Sequence, residues 1–142
     1  MKFPLWFFLA VTAVAFGQAA PVSVYDYEIL TKRPQRFSVF VELSRYDKYL
    51  TANSNIPNLK ITPKAAYEKV RKAWQNHYGV EDPMMSFASI GFHSVGNDRY
   101  LWYYAISGAG TSKDGESLQR TMLVLPNGDV AVARPVGQTK PR

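Results

Sequence analysis

Two periods of apolar residues run through this chain. Between Thr62 and Gly79 the period is helical: Ala66, Val70, Ala73 and Trp74 recur every three or four residues, with His77 closing the stripe. Lys64, Glu68, Lys69, Arg71, Lys72 and Gln75 fall mostly on the other side, so the segment predicts a one-sided helix that needs covering. Its ends are marked as well. The Thr62 hydroxyl can accept from a first-turn N–H, Pro63 suits the first helical position, and Gly79 offers a left-handed stop.

Elsewhere the period is two. From Pro21 to Leu30 it is partial, with Val22, Val24 and Ile29 inward, and reads as a strand or an ordered arm. After a polar turn broken by Pro34, Arg36 to Ser44 places Phe37, Val39, Val41 and Leu43 on one face, as the partner strand of a hairpin. Residues 45–50 read as one helical turn or an outward extension, and the Asn-, Ser- and Pro-rich stretch 51–60 as the connection to the helix.

Beyond the helix, Met84 to Ser94 alternates Ser86, Ala88, Ile90 and Phe92 against Phe87, Ser89, Gly91 and His93. A turn at Gly96-Asn97-Asp98 leads into the aromatic strand Arg99 to Ser107. Gly108 to Ser117 is small, polar and charged, and is expected to be a mobile loop. Leu118 to Leu125 and Val130 to Arg134 form a hairpin around Pro126-Asn127-Gly128-Asp129, where Asn-Gly supplies positive φ, and Pro135 is expected to end pairing. Strands on both sides of one helix, without strict alternation, predict an α+β fold: one principal helix packed on an antiparallel sheet of about four to six strands.

The N-terminus changes the picture of where the protein works. Met1-Lys2 is a short positive start, Phe3 to Phe16 is apolar and uncharged, and Gly17-Gln18-Ala19 has the small residues a signal peptidase reads. We therefore expect a signal peptide at 1–19 and an exported chain, periplasmic or extracellular, with no integral membrane segment after cleavage. Residues 20–60 would hold the N-terminal strands and connector, 61–135 the helix and main sheet, and 136–142 a basic tail, with 20–142 one domain. The chain has no cysteine, so neither disulfides nor thiolate chemistry contribute. A formal net charge of +6 favours acidic surfaces, but no basic run or nucleic-acid signature accompanies it.

Three stretches carry a family resemblance. They are Ile61-Thr62-Pro63-Lys64-Ala65-Ala66 opening the helix, Tyr100-Leu101-Trp102-Tyr103-Tyr104 on the aromatic strand, and Met122 to Val130 across the final hairpin. Together, Ile61 to Pro135 resembles a PepSY-type domain, a small secreted or envelope module; the cystatin-like α+β outline is similar. The resemblance implies non-catalytic roles: peptidase inhibition, protein binding or envelope association.

No catalytic constellation stands out. His77 and His93 belong to no HxH or HxxxH pair, no G-x-S-x-G elbow surrounds Ser107, Ser112 or Ser117, and Gly108 to Lys113 lacks phosphate-loop spacing. A hydrolase of unfamiliar type would have to use His77 or His93. No catalytic residue, metal site or cofactor is assigned. Aromatic residues are the best binding candidates: Tyr100, Trp102 and Tyr104 on one face of their strand, with Trp74 on the helix. The leading expectation is a non-enzymatic exported domain contacting a protein or envelope component through a sheet face or edge, and a homodimer is compatible with it. The alternative is an apolar-ligand protein with a cavity between helix and sheet, lined by Trp74, Trp102 and Tyr104.

Overall fold

A computed structural model of the chain describes residues 20–137 except 56 and 58, and of 87 and 88 the backbone alone. The expected signal peptide and most of the basic tail lie outside the described residues. Among the described residues two antiparallel sheets and one α-helix form three layers. The strands are β1 (Val22–Ile29), β2 (Gln35–Val41), β3 (Met84–Gly96), β4 (Arg99–Thr111), β5 (Ser117–Val124), β6 (Val130–Val132) and β7 (Arg134–Pro135). A 3-10 helix occupies Leu43–Tyr49 and α1 occupies Pro63–Tyr78.

The helix forms as its sequence dictates. The Thr62 hydroxyl accepts from the Ala65 N–H at 3.2 Å, and Gly79 ends the helix at φ 66° while its N–H donates to the Gln75 carbonyl. Ala66, Val70, Ala73 and Trp74 are buried on the inner stripe, whereas His77 is exposed. The helix packs over β4, β5 and β6.

Strand β4 is buried on both faces, and this organises the molecule. Tyr104 and Ile106 join Met122, Val124 and Trp74 in a core beneath the helix. Leu101, Tyr103 and Ala105 point the other way, into a second core with Phe37, Val39, Val41 and Leu123. The N-terminal hairpin therefore forms its own sheet, in the order β1-β2-β7, covering the face of β3-β4-β5-β6 that the helix does not reach. The expectation of one sheet under one helix is corrected here. Burial on both faces of β4 required a second cover.

Several local expectations also change. Val24 is buried and Ile29 packs on the core as expected, but Val22 is exposed; Ser23 pairs with Phe40 and Tyr25 with Val39, so Val24 sits at a bulge, beyond which Tyr25 and Tyr27 also pack on the core. Gly108 to Thr111 is no loop: it continues β4, pairing with Ser117 to Arg120, and only residues 112–116 turn. The small residues there answer a packing demand. A Cβ at Gly108 would lie 2.8 Å from Trp74 Nε1, and one at Gly110 2.6 Å from Val80 Cγ1.

The two-residue turn with both φ values positive is Asn97-Asp98 (51° and 54°), between paired Gly96 and Arg99. At the final hairpin only Gly128 is positive (φ 95°), and the Gly128 N–H donates to the Leu125 carbonyl in a three-residue loop. Pro135 does not end pairing. The chain leaves β5 at Val132, turns at buried Ala133, and pairs Arg134 and Pro135 with β2.

Candidate functional site

The aromatic residues singled out from the sequence are mostly interior. Trp74 is 0% exposed, Tyr104 6% and Trp102 7%, while Tyr100 is half-buried. Each has a structural task. The Tyr104 hydroxyl donates to the Ile61 carbonyl at 2.7 Å, fixing the entry to α1. Trp102 donates from Nε1 to the Thr51 hydroxyl at 3.0 Å, and Tyr100 exchanges backbone hydrogen bonds with Thr51, so the connector is tied to the start of β4. Trp74 lies against Gly108 and fills the space between helix and sheet; among the described residues its buried Nε1–H has no hydrogen-bond partner.

Histidines and carboxylates do not converge. His77 is exposed on α1, His93 is half-buried on β3, and among the described residues no three His, Cys, Asp or Glu side chains gather as a metal site would. Asp26 accepts from Ser23 at 2.8 Å and from Ser38, and the Ser38 hydrogen bond, then that of Ser23, holds its carboxyl below the usual range. That cluster braces the outer face of the β1–β2 hairpin. A shallow surface depression on the helix is lined by Glu68, Arg71, Lys72, Gln75 and Glu81, where carboxylates offset the cations.

What remains is an edge. The outer strands are β1 and β7 in one sheet and β3 and β6 in the other; β6 and β7 are only three and two residues long and carry the chain between the sheets, so the long outer strands are β1 and β3. The stretch of β5 beyond β6 is covered: the Thr121 N–H donates to the Tyr27 hydroxyl at 3.1 Å, and the Arg120 guanidinium lies 4.4 Å from the Phe37 ring centre and 5.9 Å from that of Tyr78. Strand β1 carries Asp26, Glu28 and a bulge, all features that discourage further pairing. Strand β3 has 13 residues and no Lys, Arg, Asp or Glu among them. Among the described residues its backbone pairs with β4 alone.

The helix-side face of β3 is also apolar and wet. Ile90 is 51% exposed and Phe92 47%, opposite Tyr104 and Trp102 across the ladder. Phe92 is held from behind by Tyr100 and Trp102, with ring centres 5.5 and 5.1 Å away, so its outer side is presented rigidly. On the other face Tyr103 lies across Gly91, where a Cβ would come within 2.7 Å of the ring. Between register irregularities at Met85/Phe87 and Ser94/Gly96 the strand is regular, supported by aromatic rings from β4, and open along one side.

Sequence reasoning placed Ile90 and Phe92 on one face of this strand but nominated its aromatic neighbours instead. The signal that could have found them is the missing charge between Met84 and Gly96. No protein-family model matches this chain, and no curated protein or solved structure matches it. Among the described residues no helix is long and apolar enough to cross a membrane.

Proposed function

We propose that this protein is a non-enzymatic exported binding domain that takes a protein partner by strand addition along the outer edge of β3. One observation carries the reading: a long outer strand without a charged residue, whose helix-side face leaves Ile90 and Phe92 half in water. Outer strands are ordinarily blunted by charge, proline or bulges, and β1 of this molecule is so treated. In strand addition the main chain supplies affinity and alternate side chains supply selection. Ile90 and Phe92, two apart on one face, are the side chains that select. Export rests on the signal-peptide pattern of residues 1–19, and the resemblance of Ile61 to Pro135 to PepSY-type domains favours a binding role over a catalytic one.

The test is capture from envelope extract by the mature chain, compared with an Ile90→Lys, Phe92→Lys variant. Both side chains are about half exposed and Phe92 packs on Tyr100 and Trp102, so the variant loses about 1–3 kcal/mol and its fold is verified by circular dichroism before capture. A bound partner should slow hydrogen exchange at the β3 amides and leave α1 unchanged. Retention of the same partner by the folded variant would refute the assignment of this edge.

A further inference from the structure

Resting on that reading of the β3 edge, we infer that its partner is a second copy of this chain, paired antiparallel about a two-fold axis through Gly91. The argument begins with register. A two-fold axis perpendicular to the sheet keeps the helix-side faces of both copies on the same side. Opposed residues must then share a face, and the axis must pass through a residue position, not between two. Register with β4 is unbroken from Phe87 to Ser94, with irregularities on either side, so the axis belongs within that stretch.

Of the positions available, Gly91 matches the exposed side chains to one another. It sets Ile90 of one copy opposite Phe92 of the other, twice, and Ser89 opposite His93. An axis at Ile90 or at Phe92 would instead match only one of the exposed pair with its like and leave the other against a small residue, Ala88 or Ser94. Aromatic residues opposite β-branched ones are among the favourable cross-strand pairs. Gly91 itself has no side chain to obstruct the centre, and the Tyr103 ring supports it from the far side.

Charge points to the same occupant. Like charges opposite one another oppose pairing, and between Met84 and Gly96 there are none to oppose. An acidic partner drawn by the +6 balance of the chain would find no cation on this strand. A neutral, apolar edge of matching spacing suits it better, and the chain itself carries one.

Size sets the strength. A paired stretch from Ala88 to Ser94, at ~3.4 Å per residue and roughly 10 Å deep, buries on the order of 500 Å² in total. Stable interfaces clear about 1,000 Å², so the dimer is weak, populated in the high-micromolar to millimolar range, and strengthened by salt that screens the net positive charge.

Because the chain has no cysteine, the register can be read by introduced ones. The mature Ile90→Cys and Phe92→Cys variants are oxidised mildly, alone and as an equimolar mixture, while wild type is followed by sedimentation up to about 1 mM. We expect reversible wild-type dimers, lost in Ile90→Lys, and a mixture that cross-links several-fold faster than either variant alone. Opposed residues on paired strands lie within disulfide reach. Faster cross-linking of either variant with itself would overturn the Gly91 axis. Wild type that stays monomeric, with no cross-linking preference, would overturn self-pairing altogether. The strand-addition reading is judged separately, because capture of another protein that is lost in the Ile90→Lys, Phe92→Lys variant would leave it standing.

Discussion

Replacing Gly108 with alanine tests the packing logic of the helix-side core at one atom. A Cβ there would sit 2.8 Å from Nε1, 2.9 Å from Cε2 and 3.0 Å from Cζ2 of Trp74. Real Cβ atoms do not approach that closely, so something has to move. Trp74 is rigid and fully buried, and its neighbours Ile106 and Met122 are buried as tightly, so the ring has no free direction. Forcing an extra methyl into such a site costs about 1–3 kcal/mol. Relief of glycine's conformational entropy in a strand returns about 0.5–1 kcal/mol. Because the ring is fully buried the upper part of the first range applies, and the net loss is about 1–2 kcal/mol. For a folded part of about 120 residues, the entropy of unfolding converts each kcal/mol into ~4 °C, so Tm should fall by about 4–8 °C. Thermal unfolding followed by circular dichroism reads it directly. The cycle with Trp74→Phe isolates the cause: with the smaller ring, Gly108→Ala should be nearly neutral, giving a coupling of at least about 1 kcal/mol. An unchanged or raised Tm for Gly108→Ala in the wild-type background would refute the reasoning and return residues 108–111 to the status of a tolerant loop.

Other perturbations follow from the same contacts. Buried Tyr46 donates to Asp129 Oδ2 at 3.0 Å, and burial, then that hydrogen bond and the carboxylate charge, push its hydroxyl pKa up to about 12. A tyrosine raised on folding contributes stability that is whole below about pH 10 and is lost as pH climbs through about 12; for Tyr46 the loss is at most ~3 kcal/mol. Burial raises Tyr27, Tyr78 and Tyr103 as well, so denaturant midpoints should fall together over this alkaline range. Tyr46→Phe should cost about 1–2 kcal/mol at neutral pH and make the alkaline slope shallower; an unaltered slope would remove Tyr46 from the account. Thr62→Ala removes the cap over the Ala65 N–H and should lower stability by about 1 kcal/mol, with helix amides 65–67 exchanging faster.

The sequence alone determined the helix, from Thr62 and Pro63 to Gly79, because capping and stripe are local chemistry, each residue acting on neighbours a turn away. It also determined that strands follow as hairpins. Tertiary structure decided the rest. Whether Tyr104 and Trp102 are surface or core depends on what lies over β4, and the cover comes from residues roughly 30 to 80 positions away in the chain. Gly108 and Gly110 read as loop because small residues have the same local preferences in a turn and beneath a tryptophan ring; only the arrival of Trp74 and Val80 distinguishes the two. The open edge was likewise invisible strand by strand. An outer strand is defined by the absence of a neighbour, and that follows from how the chain crosses at Ala133 from one sheet to the other, leaving β3 last in its row with Ile90 and Phe92 in water.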